Sequence, residues 1–138
     1  MKKLMNKKAF TIMEMLIVVA IIAVLVAIAI PTFSSALTKA KEATDVANVR
    51  AAYAELQVKV MVDNEGLPAT QDAFISEYLS EGGNSVLNYS NGTGEATFSY
   101  ELTENANAED SATITYTPTK LNDKKPYTWT ITGEKASA

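Results

Sequence analysis

The stretch that decides the fold is KKAFTIMEMLIVVAIIAVLVAIAIP, from Lys7 to Pro31, an apolar run with one carboxylate, Glu14, near its start. From Phe10 to Ile30 the run has about 21 residues, which as a helix would span roughly 31 Å, close to the hydrocarbon thickness of a bilayer. Its apolar residues surround the whole helix, so it lacks the polar face of an amphipathic helix that lies on a membrane surface. The run therefore predicts a membrane-spanning helix.

Charge is distributed unevenly around this run. Four of the 12 basic residues precede it, and all 16 acidic residues follow these four, which are Lys2, Lys3, Lys7 and Lys8. The positive-inside rule then keeps the amino terminus in the cytoplasm and sends the rest of the chain across the membrane. The acidic remainder is a poor general binder of nucleic acid, so no specific nucleic acid is predicted as a partner.

Two simpler interpretations of the run compete with this one. A secretory signal peptide would be cut after Ala27-Ile28-Ala29, but the uncharged run after Glu14 exceeds the usual apolar core of about 7 to 15 residues, and Pro31 closely follows the cut. An uncleaved signal anchor explains the length but not Glu14, because a carboxylate deep in a bilayer costs about 2.5 to 3.5 kcal/mol on insertion scales. Glu14 therefore predicts a partner for its charge.

The sequence KAFTIMEMLIVV, from Lys8 to Val19, followed by the apolar run and Pro31, resembles the amino-terminal signature of type IV pilins and pseudopilins. The resemblance covers the first third of the chain. It implies that a leader, residues 1–9, is removed by the prepilin peptidase, a membrane aspartyl peptidase, between Ala9 and Phe10, and that the new terminus at Phe10 is N-methylated. The family usually has Gly before the cut; Ala9 is also small, so processing is still expected.

The resemblance also implies a partner for Glu14, namely the cationic amine of Phe10 on a neighbouring copy in a helical homopolymer. Opposite charges attract strongly in low-dielectric surroundings, where each charge alone is costly. Thr11 is expected to assist by hydrogen bonding, although Thr in an apolar helix more often bonds its own backbone. Pro31 removes a backbone hydrogen bond and predicts a kink or a loosened turn, with a helix stop at the membrane exit as the alternative.

Residues 34–63 are rich in Ala, Lys and Glu and contain neither Gly nor Pro, which predicts that the helix continues. Two stripes of residues at helical spacing lie along this helix. The first is expected to pack on the chain's own head. The second is expected to share that burial, with only the upstream part of the second stripe free to contact other subunits. The first stripe is Val46, Val49, Tyr53, Leu56 and Val60; the second is Ala47, Ala51, Ala54, Val58 and Met61. The helix is expected to end at NEGLP, residues 64–68, with Gly66 suited to a left-handed cap.

The rest of the chain predicts a short helix and up to four strands. TQDAFISEYLS, residues 70–80, predicts a helix capped by Thr70 and closed by Gly82-Gly83. Beyond it the period changes to two, and runs separated by turn sequences predict strands at Val86–Tyr89, Ala96–Leu102, Ser111–Thr117 and Tyr127–Ile131. The predicted fold is α+β: a long amino-terminal helix, half transmembrane and half amphipathic, packed against a small antiparallel β-sheet head. The predicted parts are the leader (1–9), the transmembrane and polymerisation helix (10–33) and the head (34–138).

No catalytic, cofactor-binding or metal site is predicted. The chain has no cysteine and no histidine, so disulfides, thiol chemistry and the commonest zinc ligand are absent. Acidic clusters at Asp63 with Glu65, and from Glu104 to Asp110, lack the spacing of a calcium-binding loop, so solvated loops are favoured over calcium sites. Without a disulfide the last strand is expected to depend on Trp129, whose loss would cost roughly 3 to 5 kcal/mol if the ring is buried.

Three functions remain. The first is a non-enzymatic structural subunit of a type IV pilus, membrane-anchored as a precursor with its amino terminus inside and then part of an extracellular fibre that supports adhesion, motility or biofilm. Its partners would be its own copies, the prepilin peptidase and the pilus assembly machinery of the membrane. The second is a pseudopilin of a type II secretion or DNA-uptake system, and the third is a signal-anchored surface binding domain that never polymerises. Glu14 argues against the third, because a simple anchor gains nothing from it.

Overall fold

A computed structural model of the protein describes residues 11–88 and 96–136. The predictions for Ala9 and Phe10, and the strand end predicted at Tyr89, lie outside the described residues. The chain divides into two compact units between Leu37 and Thr38.

The long helix α1 spans Ile12–Met61, 50 residues, and passes through Pro31 without interruption. The alternative of a helix stop at Pro31 is therefore wrong. Proline lacks an N–H, so one carbonyl of the preceding turn loses its helical partner. The hydroxyl of Thr32 donates to the carbonyl of Ile28 at 3.1 Å in the same turn, and the helix continues beyond Pro31 to Met61.

In the first unit the apolar side chains of α1 remain exposed. Ile12 is 78% exposed, Leu16 58% and Ile28 65%, although ordinary globular domains bury such residues. By length and composition α1 contains a segment apolar enough to cross a membrane, and none of that segment is buried within the protein. An exposed apolar surface of this size is typical of a segment that lipid or other protein chains cover.

In the second unit one face of α1 packs on the head. The first stripe is confirmed, since Val46, Val49 and Leu56 are buried and the other two members are partly buried. The second stripe was expected to share the burial, and this prediction is wrong: Ala47, Ala51, Ala54, Val58 and Met61 are all exposed. The head packs on the first stripe, whose side chains are larger, because burying them removes more apolar area from water.

The end of α1 differs in detail from the prediction. The helix ends at Met61, as NEGLP indicated, but the left-handed residue is Asn64, with φ 55°, and not Gly66. Gly66 is required for another reason. A Cβ at Gly66 would lie 2.3 Å from the Cα of Ala136, so glycine allows the carboxyl-terminal segment to pass close by. That segment forms a parallel bridge from Lys135 to Leu67.

The second helix, α2, spans Gln71–Tyr78. The predicted cap is confirmed, because the Oγ1 of Thr70 accepts a hydrogen bond from the N–H of Ala73 at 3.2 Å. Gly82 and Gly83 do not close this helix. They form the turn between two short strands, β1 (Ser80–Glu81) and β2 (Asn84–Ser85), with φ angles of 60° and 85°.

The main sheet is antiparallel, with the order β3 (Thr97–Thr103), β4 (Asp110–Thr117) and β5 (Tyr127–Gly133). Three of the four predicted strands are thus present, and the α+β fold with a small antiparallel head is confirmed. The prediction of a strand starting at Val86 is wrong for residues 86–88. Asn88 bonds to Asp45 and the carbonyl of Val86 to Asn48, so this segment pairs with side chains of α1 and not with the sheet.

The core of the head lies between α1, α2 and the inner face of the sheet. The inner residues of β4, Ala112, Ile114 and Tyr116, are fully buried. The ring of Phe74 on α2 stacks on Tyr100 with centroids 4.9 Å apart. The central strand is thereby covered along its length, which is expected to make it the most stable part of the sheet.

Candidate functional site

The amino-terminal end of α1 holds two of the predicted assembly residues, Thr11 and Glu14, in direct contact. The N–H of Thr11 donates to Oε2 of Glu14 at 3.1 Å, and the N–H of Glu14 donates to Oγ1 of Thr11 at 3.1 Å. This reciprocal pair is a capping box, in which a Thr before the helix and a Glu three residues later each satisfy a free backbone N–H. The helix dipole also favours a carboxylate at this end.

The capping box changes the interpretation of Glu14. A carboxylate that caps its own helix benefits an isolated subunit, so the argument that a simple anchor gains nothing from Glu14 was too strong. Thr11 also has a defined role: its hydroxyl accepts from the backbone at the start of the helix and does not bond a carbonyl within it. Both residues therefore define and cap the start of the helix.

Pro31, the third predicted assembly residue, is not part of this contact. It lies 17 positions beyond Glu14, about 25 Å along the helix axis. It is exposed in the first unit, as its neighbours Ile30 and Phe33 are. The structure thus brings together Thr11 and Glu14 and leaves Pro31 as a separate feature of the same apolar segment.

A second polar feature, which the sequence analysis missed, lies at the start of the head. Glu42 of α1 is 4% exposed, and its two carboxylate oxygens accept four hydrogen bonds from the connection between β4 and β5. Oε1 accepts from the N–H of Thr119 at 2.9 Å and from its hydroxyl at 2.5 Å. Oε2 accepts from the N–H groups of Lys120 at 3.1 Å and Leu121 at 2.8 Å. One side chain therefore satisfies three consecutive backbone donors of a loop.

Asp45, one turn further along α1, is 1% exposed and binds two other parts of the head. Its Oδ1 accepts from the backbone N–H of Asn88 at 2.7 Å and from the side-chain amide of Asn88 at 3.0 Å. Its Oδ2 accepts from the hydroxyl of Tyr116 at 2.8 Å. We call Glu42 and Asp45 together the carboxylate clamp, because they join α1 to β4, to Asn88 and to the connection between β4 and β5.

The hydrogen bonds decide the ionisation of Glu42. Burial raises the pKa of this carboxyl, but the bonds from Thr119, Leu121 and Lys120 together outweigh burial and hold the pKa below its usual 4.5. Burial, and then its hydrogen bond to Asp45, raise the pKa of the Tyr116 hydroxyl. The hydroxyl therefore stays protonated and remains a donor to the clamp.

The sequence did contain a signal for the clamp. Glu42 lies four residues before Val46, so it continues the apolar stripe Val46, Val49, Tyr53, Leu56 at the correct helical spacing. A carboxylate at an apolar position of an amphipathic helix is rarely buried unless it has partners. The stripe was defined by its apolar members alone, and the acidic residue that extends it was overlooked.

Glu104 and Asp110, from one of the two acidic clusters considered for calcium, bond to other parts of the chain. Asp110 accepts from the N–H of Asn105 at 2.9 Å and from the N–H of Lys135 at 3.2 Å. Glu104 pairs with the ammonium group of Lys135 at 2.5 Å. Within residues 11–88 and 96–136 no group of three or more acidic side chains has the arrangement of a metal site. These carboxylates therefore stabilise turns and the carboxyl-terminal segment.

Comparison with known proteins gives two findings. Residues 4–30 match the family model described as the prokaryotic N-terminal methylation motif. A stretch of 71 residues is 38% identical to the "Type IV wide pilus major component PilA4" of Thermus thermophilus, covering 51% of this chain and 53% of that protein. The chain therefore spans about half the length of the curated relative it matches. No solved structure matches the chain.

Proposed function

We propose that this chain, whose methylation motif and identity to a pilus component support the type IV pilin family, is a structural subunit of a type IV pilus. The match of residues 4–30 to the methylation motif supports the resemblance seen from Lys8 to Pro31. The observation that carries the proposal is the contrast between the two units: the head buries its own core, whereas the apolar helix that precedes it buries nothing. Such a helix has a stable place in a membrane or in a bundle of identical helices.

The proposal includes processing and assembly. The prepilin peptidase removes residues 1–9 at Ala9 and Phe10, and Phe10 becomes the methylated amino terminus. The precursor is anchored in the cytoplasmic membrane with its amino terminus inside. The assembly machinery then moves the helix from lipid into the core of a helical homopolymer on the cell surface, where neighbouring copies cover the exposed apolar side chains. Such a subunit needs no catalytic residue and no cofactor.

In this proposal Glu14 exchanges one partner for another. In the separate subunit its Oε2 accepts from the N–H of Thr11, a neutral donor. In the fibre the same carboxylate would meet the charged Phe10 amine of a neighbouring copy, and the attraction between two full charges in low-dielectric surroundings is stronger than that between a carboxylate and a neutral N–H. The gain in strength would fix the register of each new subunit, as one buried polar residue fixes the register of a coiled coil. Pro31 would supply the bend that fits the helix to its neighbours.

The test compares Glu14→Gln with Glu14→Ala in cells that make the fibres. Glutamine serves in a capping box as glutamate does but carries no charge, so it preserves the cap and removes the ion pair. We expect both variants to be inserted in the membrane and cleaved, and both to fail to assemble, as judged by sheared filaments in electron micrographs. Normal fibres from Glu14→Gln, with none from Glu14→Ala, would mean that capping alone explains Glu14 and would reject the pairing.

Amino-terminal sequencing of the mature protein provides a second test. The proposal expects the mature chain to start at Phe10. A start at Ile30 or Pro31 would identify the apolar run as a secretory signal peptide and would overturn the proposal. A pseudopilin would share the start at Phe10. We favour the pilus because the relative is described as a major pilus component, and mass spectrometry of long surface filaments distinguishes the two.

A further inference from the structure

The connection between β4 and β5, residues 118–126, carries three lysines and one aspartate, Asp123, and so has a net positive charge. We call it the lysine loop, after Lys120, Lys124 and Lys125. All three are exposed, and none has an ion-pair partner in the part of the chain that the structure describes. Residues 38–138 hold 15 of the 16 acidic residues but only 8 of the 12 basic ones. The lysine loop is thus a basic tip on an acidic head.

The backbone of the lysine loop is held in an uncommon shape. Three consecutive residues other than glycine have positive φ angles: Asn122 (52°), Asp123 (51°) and Lys124 (65°). Such residues normally occur singly, because each costs conformational energy. The bonds from Glu42 to the N–H groups of Lys120 and Leu121 fix the base of the loop. The lysines therefore extend from a preorganised tip, which lowers the entropy lost on binding.

A cavity of about 690 Å³ lies at the other end of the head. Its lining residues include Val60, Met61 and three acidic residues: Glu65, which pairs with Lys59 at 3.8 Å, and Glu109 and Glu134. We call it the far-end cavity. Lys135 also lines it, but the Lys135 ammonium group is paired with Glu104. The lining is mostly polar, and the carboxylates of Glu109 and Glu134 suit the ammonium group of a lysine, whose hydrocarbon stem can lie along neighbouring surface.

The strand directions separate these two features within one head. β4 runs from Asp110, next to the turn that holds Glu109, to Thr117, next to the lysine loop. β5 returns to Gly133, which precedes Glu134. An eight-residue strand is about 25 Å long, so a lysine loop does not reach the far-end cavity of its own head. A contact between them must join two different copies. Such a contact is heterologous, because it joins two different surfaces. If successive copies are related by a screw axis, the contact repeats along the fibre and does not close into a ring.

We propose that the lysine loop of one head docks in the far-end cavity of a neighbouring head in the same fibre. The partner is a second copy of this chain, chosen by charge complementarity between the basic tip and the acidic cavity. The inference rests on the proposed function, because only a polymer supplies neighbours in a fixed orientation. Exposed ion pairs are individually weak and screened by salt. The contact therefore sets the relative position of the heads, while the apolar helices hold the fibre together.

Zero-length carbodiimide cross-linking of native sheared fibres tests the docking. The reagent joins a lysine to a carboxylate that it contacts, and mass spectrometry identifies the linked peptides. We expect links from Lys120, Lys124 or Lys125 to Glu65, Glu109 or Glu134, at least about tenfold enriched in multimer bands over the monomer band. Two contacts within one head are internal controls that must appear in every band: Lys135 with Glu104, and Lys59 with Glu77 at 2.9 Å.

The outcomes separate the two proposals. If the wild-type chain forms no fibres, the proposed function fails, and the docking fails with it. If fibres form and the control links appear, but the lysine loop links to no carboxylate or to carboxylates outside the far-end cavity, the docking alone is overturned.

Charge reversal supplies an independent test. Lys124→Glu with Lys125→Glu is expected to abolish the multimer links and to lower at least about threefold the fraction of subunits that stays polymeric after shearing. Mixing this variant with Glu109→Lys/Glu134→Lys copies is expected to restore both. Glu101→Lys, an exposed position on β3, is the matched control and should leave both measurements unchanged. An equal loss in the control, or no rescue in mixed fibres, would overturn the docking.

Discussion

Replacement of Glu42 by glutamine is expected to lower the free energy of unfolding of the head by about 3 kcal/mol, and replacement by alanine by about 4 to 5 kcal/mol. Glu42 accepts from the backbone N–H groups of Thr119, Lys120 and Leu121. A hydrogen bond to a charged acceptor contributes about 1.5 to 3 kcal/mol, and we use the lower figure because these bonds are partly buried. Alanine removes these three bonds and the fourth bond, from the Thr119 hydroxyl, whereas glutamine keeps one oxygen as an acceptor and turns an NH₂ donor towards the donors of the other oxygen.

The assay is urea unfolding of the full chain in detergent micelles, followed by the fluorescence of Trp129, the single tryptophan of the chain. For a head of this size, a loss of about 3 kcal/mol corresponds to a fall in melting temperature of about 12 to 24 °C. Glu55→Gln is the matched control, because Glu55 lies on the same helix and is exposed. Its free energy of unfolding should stay within about 0.5 kcal/mol of wild type.

The pH dependence of the free energy of unfolding provides a second test of the role of Glu42. The folded pKa of Glu42 lies below 4.5, so on acidification the unfolded state takes up the proton first. The contribution of the Glu42 charge is therefore complete above about pH 5 and is lost as the pH falls through the folded pKa. The difference between wild type and Glu42→Gln should be widest near neutral pH and should shrink in acid. A difference below about 0.5 kcal/mol near neutral pH, or one that does not change with pH, would refute the role of the clamp.

Three further changes test other contacts of the head. Trp129→Ala should cost about 1.5 to 3 kcal/mol in the same urea assay followed by circular dichroism, less than for a buried ring, because Trp129 is only partly buried and stacks on Tyr127 at 6.2 Å. Gly66→Ala would place a Cβ 2.3 Å from the Cα of Ala136 and should release the carboxyl-terminal segment, seen as faster amide exchange near it; unchanged exchange would contradict the close approach. Thr70→Ala should cost about 1 kcal/mol through loss of the helix cap, and Thr70→Ser should restore it.

The parts of the fold that depend on periodic patterns were predictable. The long helix, the capped α2 and the strands β3, β4 and β5 all followed from helical or alternating spacing in the sequence. The strand predicted from Val86 failed because its β-branched and apolar residues do not reveal that Asp45 and Asn48, about 40 residues earlier, satisfy its backbone groups. Contacts at that separation depend on how the elements pack, which local sequence does not encode.

The candidate site was predictable in its residue types but not in its geometry. Thr11 and Glu14 were identified from their place beside the apolar run, yet the Thr-x-x-Glu spacing that makes a capping box was not recognised. Glu42 was missed for a related reason. Glu42 accepts hydrogen bonds from backbone N–H groups of a loop that lies 77 to 79 residues later in the sequence, and only folding brings these donors close to Glu42.

The carboxylate clamp has a consequence for how the head responds to reducing conditions. A domain closed by a covalent sulfur bridge needs an oxidant, and a wrong pairing must be reshuffled over seconds to hours. Here Glu42 joins α1 to the connection between β4 and β5 through hydrogen bonds, which form reversibly and require no oxidant. Because the chain has no cysteine, reducing surroundings should leave the domain intact.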